Sequence, residues 1–314
     1  MNRRSRRLRP VTSPAMKISR RASITACVAA LGVLAIVPAA HAETRNPRAP
    51  TQYLVSLGDS YAVGYQPGKG NTKEGFVYQV PALARKRGYN LKVVNFGCGG
   101  ATTKSMMEQV GCPKDGLGPG AKPFNKTQVA AAVDFIKANR KKVALITVSI
   151  SGNDVTKCVN AADPITCVAD AQAAIKANVG NAAKQLRAAA GRKPVMVGTT
   201  YPDVVLGAWV RGNQNIANLS VIAFRELINP SLKASYAEGK GKFVDVTKET
   251  GAYGDMGVTE TLEPYGSIPK PVADVCRVSW YCEKGDIHAN KAGYAVIAKM
   301  VAAELPIAPV GSRR

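Results

Sequence analysis

Five short apolar runs, separated by stretches of helical period, constrain this chain more than any other feature. The first, Tyr53-Leu-Val-Ser-Leu57, closes with Gly58-Asp59-Ser60. A helical pattern from about Phe76 to Lys86 stops at Gly88, and Leu91 to Phe96 reads as the next strand. A helix from about Asn125 to Asn139 precedes the strand Val143 to Ile150, and an Ala-rich helix from Asp170 to Ala190 precedes Pro194 to Thr200. A helix over Asn213 to Glu238 leads to Phe243 to Val246, and a last helix runs from near Asn290 to Leu305. Strands alternating with helices predict a three-layer α/β/α sandwich on a mostly parallel five-stranded sheet. Active groups in such sheets lie in the loops beyond the strands' carboxyl ends.

The first 42 residues are of another kind. They carry eight basic residues and no acidic one, then an apolar run from about Ala26 to Ala40, then Ala40-His41-Ala42. A charged start, a short apolar run broken by Pro38 and an A-x-A end describe a secretory signal peptide, cleaved after Ala42, better than a membrane span. Ser19-Arg20-Arg21 leaves both the general and the twin-arginine export routes open. The expected layout is a signal peptide over 1–42, an extension over 43–52, one catalytic domain over 53–305 and a tail over 306–314.

Without the leader the chain keeps 35 basic against 21 acidic residues, a charge of about +14. The excess is scattered in short clusters such as Arg85-Lys86-Arg87 and Arg140-Lys141-Lys142, at expected helix C-termini. Peripheral attraction to anionic surfaces is compatible with it, and no helix-turn-helix, finger or aromatic-basic signature points to nucleic acid. Six cysteines remain, Cys98, Cys112, Cys158, Cys167, Cys276 and Cys282. An even count outside the cell implies disulfides. Fifteen pairings exist on paper, but the residues fall into three neighbouring couples, so Cys98–Cys112, Cys158–Cys167 and Cys276–Cys282 are expected. No C-x-x-C occurs, so a metal site is not expected.

Four blocks carry candidate chemistry. Ser60 stands two residues beyond the first strand, where a serine can present its hydroxyl while its amide faces a developing anion. Gly-Asp-Ser is also an ordinary turn sequence, so it needs partners. Histidine is scarce: once His41 leaves with the leader, only His288 can serve as a base of suitable pKa. A histidine before a helix can equally be a surface or capping residue. Ser151-Gly152-Asn153-Asp154 follows the third strand, where Asn153 can offer an amide N–H to an oxyanion or merely help cap the next segment. Asn95-Phe-Gly97-Cys98-Gly99-Gly100-Ala-Thr102-Thr103 follows the second strand, and Thr102 stands where a dinucleotide loop needs Gly, so no cofactor is expected.

The set Gly58-Asp59-Ser60, Gly100, Ser151-Gly152-Asn153-Asp154 and a C-terminal Asp286/His288 block resembles the SGNH hydrolase superfamily of GDSL esterases and lipases, over about residues 53–305. The three-couple cysteine pattern resembles most its secreted bacterial esterase and lipase branch. The resemblance implies a flavodoxin-like fold, Ser60 as nucleophile, His288 as general base, and an oxyanion hole made of the Ser60 and Gly100 amides and the Asn153 side chain. Gly100 fits the family pattern better than Gly97, because Ala101-Thr102-Thr103 follows it. Two departures stand out: Tyr61 replaces a frequent Leu, which bears on packing, and Gly285 occupies the usual acid position three before the histidine. Either Asp286 orients the imidazole, the favoured reading, or a backbone carbonyl between Trp280 and Gly285 does.

The resemblance implies a secreted carboxylester hydrolase acting as a monomer on small-molecule or lipid esters, without cofactor or metal. Carbohydrate O-acetylesterase, acyltransferase and non-catalytic cell-surface binding protein remain as alternatives. The loops Gly64–Gly75, Gly111–Phe124 and Tyr253–Cys282 are expected to form the substrate pocket.

Overall fold

The computed structural model describes residues 49–308. The expected leader, its cleavage point, the paired arginines, residues 43–48 of the extension and the end of the tail lie outside the described residues.

Five strands form one sheet: β1 Thr51–Gly58, β2 Asn90–Asn95, β3 Val143–Ser149, β4 Val195–Thr199 and β5 Lys242–Val244. Their order is β2-β1-β3-β4-β5 and every pairing is parallel, with Val55 beside Val94, Leu54 beside Leu145 and Ser149 beside Thr199. All seven residues of β3 are buried, and β1 is buried from Leu54 onward, which accounts for their unbroken apolar runs. The edge strand β5 has three residues, too short to template further pairing. In this order the chain reverses direction across the sheet between β1 and β3, and a crevice opens beyond their carboxyl ends.

The described residues include seven longer helices, α1 Phe76–Arg85, α2 Gln128–Ala138, α3 Pro164–Ala190, α4 Gln214–Ile222, α5 Asn229–Glu238, α6 Lys270–Val278 and α7 Lys291–Ala303. Helices α1 and α7 pack together, and α2 and α5 pack on α3. On the α5 side Gly198 of β4 touches the Tyr236 ring so closely that a β-carbon would lie 2.1 Å from it. A second, smaller core of Leu206, Ala217, Ile268 and Val272 lies beneath the segments around α4 and α6. Among the described residues no helix is long and apolar enough to cross a membrane.

Several boundaries differ from the sequence expectation for local reasons. Helix α3 begins at Pro164 rather than Asp170, because Asp163 caps it: its carboxylate accepts from the Thr166 amide (3.1 Å) and hydroxyl (2.6 Å), with Pro in the first turn. The helix expected over Asn213–Glu238 is α4 and α5 joined by a π turn, Ala223–Ile228. Pro230 comes two residues after it; it has no amide for the carbonyl four residues earlier, and a π turn there reorganises the bonding around it. Strand β5 stops at Val244 because Asp245 caps a single turn, Val246–Glu249. The loop after β2 contains an unforeseen short helix, Thr103–Glu108, in which the Thr102 and Ser105 side chains cap each other's amides.

The structure joins Cys98 to Cys112, Cys158 to Cys167 and Cys276 to Cys282. The first bridge flanks the glycine loop after β2. The second staples the segment between Asn153 and α3, and the third ties α6 to the turn before Asp286.

Candidate active site

The end of β1 is built around Gly58, whose φ of +140° suits glycine alone; a β-carbon there would sit 2.0 Å from the Ser149 carbonyl oxygen. The Gln128 side chain grips this residue at both ends, accepting from its amide (2.6 Å) and donating to its carbonyl (3.1 Å). Asp59 caps the single turn Ser60–Val63 by accepting from the Tyr61 amide at 2.9 Å. Ser60 thus opens a turn whose own amide has no acceptor among the described residues.

The Ser60 hydroxyl lies 2.8 Å from Nε2 of His288, and Nδ1 of that ring lies 2.7 Å from the Asp286 carboxylate. The same carboxylate oxygen accepts from the His288 backbone amide at 3.0 Å. An acid two residues before the histidine therefore reaches the ring by folding back in a tight Asx turn. No carbonyl from the Trp280–Gly285 segment bonds the ring; the Trp280 amide instead donates to the His288 carbonyl at 3.0 Å. Burial lowers the imidazole below its ordinary pKa, and Asp286 partly opposes this. A neutral ring that donates from Nδ1 to Asp286 leaves Nε2 free to accept the serine proton.

The histidine segment is held on several sides. Asn290 caps α7 through the Ala292 and Gly293 amides (2.9 and 3.1 Å) and donates to the Arg277 carbonyl (2.8 Å). The Gln66 side chain donates to the Ala289 carbonyl (3.0 Å) and accepts from the Trp280 indole (2.7 Å). Tyr61 does more than pack: its hydroxyl donates to the Ile287 carbonyl at 2.9 Å, joining the serine turn to the histidine loop. The Tyr65 ring lies 4.4 Å from the imidazole, centroid to centroid.

Asn153 lies in the turn Gly152–Val155 beyond β3. Its amide nitrogen donates to the Ala101 carbonyl at 2.9 Å, which fixes the amide's orientation and leaves the second N–H available. In the loop after β2, the amides of Gly97, Cys98, Gly99, Ala101 and Thr102 all have protein acceptors; that of Gly100 has none among the described residues. Gly97 spends its amide on the Asn95 side chain at 2.9 Å. Ser60, Gly100 and Asn153 therefore each retain an uncommitted N–H, one beyond each of the three adjacent strands β1, β2 and β3.

Two acids knit these loops, Asp59 buried and Asp154 half-buried. Asp154 accepts from the Thr103 amide (2.9 Å) and hydroxyl (2.7 Å), tying the Asn153 turn to the glycine loop. Asp59 accepts from the Tyr201 hydroxyl at 2.6 Å, and that hydroxyl accepts from the Gly152 amide at 3.1 Å. Burial pushes the Asp59 carboxyl up to about 7 against the pull of the Tyr201 and Tyr61 donors. Preceding Gly152, Ser151 has φ +114°, a conformation that costs a non-glycine residue energy and persists because its neighbours over-determine it. Tyr201 and Gln66 escaped the sequence reading; the one hint was Thr199-Thr200-Tyr201-Pro202 at the end of a strand.

A cavity of about 850 Å³, its open mouth included, begins at Ser60 and Asn153. Its walls come from residues 155–168 and 201–228, not from the three loops expected to form the pocket. Tyr65, Gln66 and Trp280 of those loops lie against the histidine segment instead, and Gly111 and Pro113 lie beside the glycine loop. No group of three or more His, Cys, Asp or Glu side chains able to hold a metal occurs among the described residues.

A parallel α/β sandwich with a hydrogen-bonded serine, histidine and aspartate beyond its strands has the architecture of a serine hydrolase. The chain belongs to the GDSL-like Lipase/Acylhydrolase family, whose family model matches residues 56–296, and is a carboxylic ester hydrolase. No curated protein matches the sequence. Among solved structures, a lipase from a goat rumen metagenome shares 16% identity, with a TM-score of 0.51 over 81% of this chain and 97% of its own. A carbohydrate acetylesterase from Sinorhizobium meliloti shares 12% identity, with a TM-score of 0.43 over 81% and 97% of the two chains. An aryl esterase from M. smegmatis shares 12% identity, with a TM-score of 0.41 over the same shares. The likeness to the rumen lipase concerns the fold alone.

Proposed function

We propose that the chain hydrolyses carboxylic esters through an acyl-enzyme on Ser60 and works in an oxidising compartment outside the cytoplasm. The observation that carries the reading is the unbroken relay from Ser60 Oγ to His288 Nε2 (2.8 Å) and from Nδ1 to Asp286 (2.7 Å). Ser60 Oγ attacks the ester carbonyl while its proton passes to Nε2, and Asp286 stabilises the imidazolium so formed. The oxyanion is held by the free N–H groups of Ser60, Gly100 and Asn153. As the tetrahedral adduct collapses, the C–O bond to the alcohol breaks and the proton on Nε2 goes to the departing oxygen. Water then gives a proton to Nε2, adds to the acyl carbon, and the carboxylic acid leaves as the proton returns to Ser60 Oγ. Three disulfides and the basic, apolar character of residues 1–42 support export, with cleavage after Ala42.

The test is hydrolysis of p-nitrophenyl esters by the wild-type protein beside Ser60→Ala, with fluorophosphonate labelling read by intact mass. Activity and label should both disappear in the variant. Turnover that survives in a pure, folded Ser60→Ala sample would remove Ser60 from the mechanism.

A further inference from the structure

We infer that the cavity beside Ser60 is an acyl-chain site and that it selects esters of octanoyl length or longer over acetylated substrates; this rests on the reading of Ser60 above. Direction comes first. The general acid must reach the leaving oxygen, so the alcohol departs on the imidazole's side of Ser60. His288 is not among the residues lining the cavity; Ile287 beside it reaches the rim, while most of the wall belongs to residues 155–168 and 201–228, on the Asn153 side of Ser60. What enters the cavity is therefore the acyl half.

The lining determines what kind of acyl group. Beyond the mouth the walls carry Ile165, Val168, Val204, Leu219, Phe224 and Ile228. The polar groups that reach the lining are already engaged: the Thr156 hydroxyl donates to the Gly152 carbonyl (2.7 Å) and the Ser220 hydroxyl to Asp203 (2.9 Å). The Tyr201 hydroxyl is taken up between Asp59 and Gly152. A sugar placed here would bury hydroxyls without partners, each weakening binding by about 5- to 150-fold. A polymethylene chain asks for no partners, and an acetyl methyl leaves the apolar wall from Ile165 to Ile228 uncovered.

The π turn Ala223–Ile228 shapes this wall. A wider turn rotates less per residue, so Leu219, Ala223, Phe224 and Ile228 can all face one side. Ile165 and Val168 flank Cys167, whose bridge to Cys158 braces that part of the wall. Two braced walls without polar demand suit an extended chain.

The experiment measures kcat/KM for p-nitrophenyl esters from acetate to palmitate, each below its micelle concentration, with Ser60→Ala as control. The expected result is a rise of about fourfold per added methylene while the chain still finds wall, with an optimum at octanoyl or beyond. Ala223→Phe and Val168→Phe should each lower the octanoyl-to-acetyl ratio by at least about tenfold, with folding verified by circular dichroism. Independently of turnover, decanoate should inhibit wild-type hydrolysis competitively, and more weakly in Ala223→Phe. A wild-type series that is flat or falls from acetate overturns the acyl-site inference, even if all activity depends on Ser60. Activity that persists in Ser60→Ala overturns the Ser60 reading itself, and silence on every ester with folded protein overturns both.

Discussion

Replacing Tyr201 with Phe removes one oxygen that serves two buried groups. In the native protein its hydroxyl donates to Asp59 at 2.6 Å and accepts from the Gly152 amide at 3.1 Å, and these two residues directly precede Ser60 and Asn153. The variant leaves Gly152 with an orphan amide and Asp59 with one donor fewer. Each loss costs about 1–3 kcal/mol, so the combined loss is about 2–6 kcal/mol, a large part of a typical domain's roughly 5–15. The pH dependence gives the reasoning a sharper edge. Asp59 titrates near 7 in the folded protein, raised from 3.8 by burial, so it destabilises the fold progressively as pH rises from about 4 to about 7. Without the Tyr201 donor the folded carboxyl titrates higher still, and the decline extends above neutral. Urea unfolding of both proteins at pH 5 and pH 9 checks this, with a larger deficit expected at pH 9. Turnover of an acetyl ester should fall by about tenfold or more, because the Gly152 amide positions the Asn153 turn, with the 100- to 1000-fold worth of one oxyanion donor as the ceiling. A variant within about 0.5 kcal/mol of wild type at both pH values, or a deficit independent of pH, would refute the proposed link between Asp59 and the Asn153 turn.

Asn153→Ala should reduce kcat by about 100- to 1000-fold, and thermal unfolding beside the kinetics separates this from instability. Asp286→Asn should cost up to about 10⁴-fold in kcat, since the amide favours the wrong imidazole tautomer; a loss below about tenfold would show that Asp286 does not orient the ring. In a pH profile of kcat/KM, the rise that reports His288 deprotonation should fall below the ordinary imidazole value of 6.5, because burial disfavours the charged ring, and the rate should be level above neutral pH.

Much of the fold was readable because parallel strands bury both faces and leave unbroken apolar runs such as Val143–Ser149, each bounded by turn residues. Ser60 and His288 could be paired on sequence alone because histidine scarcity left one candidate base. Asp286 was ambiguous, since spacing cannot say whether a chain folds back on itself as this one does. Asn153 and Gly100 were legible only through the family pattern; what singles out Gly100 physically is that its neighbours' amides are engaged, a tertiary fact. Tyr201 and Gln66 act across distances in sequence that no local pattern encodes. The cavity beside Ser60 was not legible for the same reason: its walls depend on how α3 and the α4–α5 pair pack beyond the strands. The π turn was hidden because a period of 3.6 cannot register one inserted residue.

The placement of the three bridges also bears on how the chain reaches its oxidised state. Their partners are 14, 9 and 6 residues apart. A bond from Cys98 to Cys282 would close a loop roughly thirteen times longer than that from Cys98 to Cys112, an entropic disadvantage of roughly 2 kcal/mol. In an unfolded chain the thiols that collide most often are thus the ones that belong together. Oxidation is a search with a built-in bias, and a reduced, denatured sample exposed to oxidant should recover the native connectivity far more often than one time in about fifteen. Each pairing needs only its own neighbourhood, so the segments beside the serine, asparagine and histidine loops can be secured one at a time, in any order.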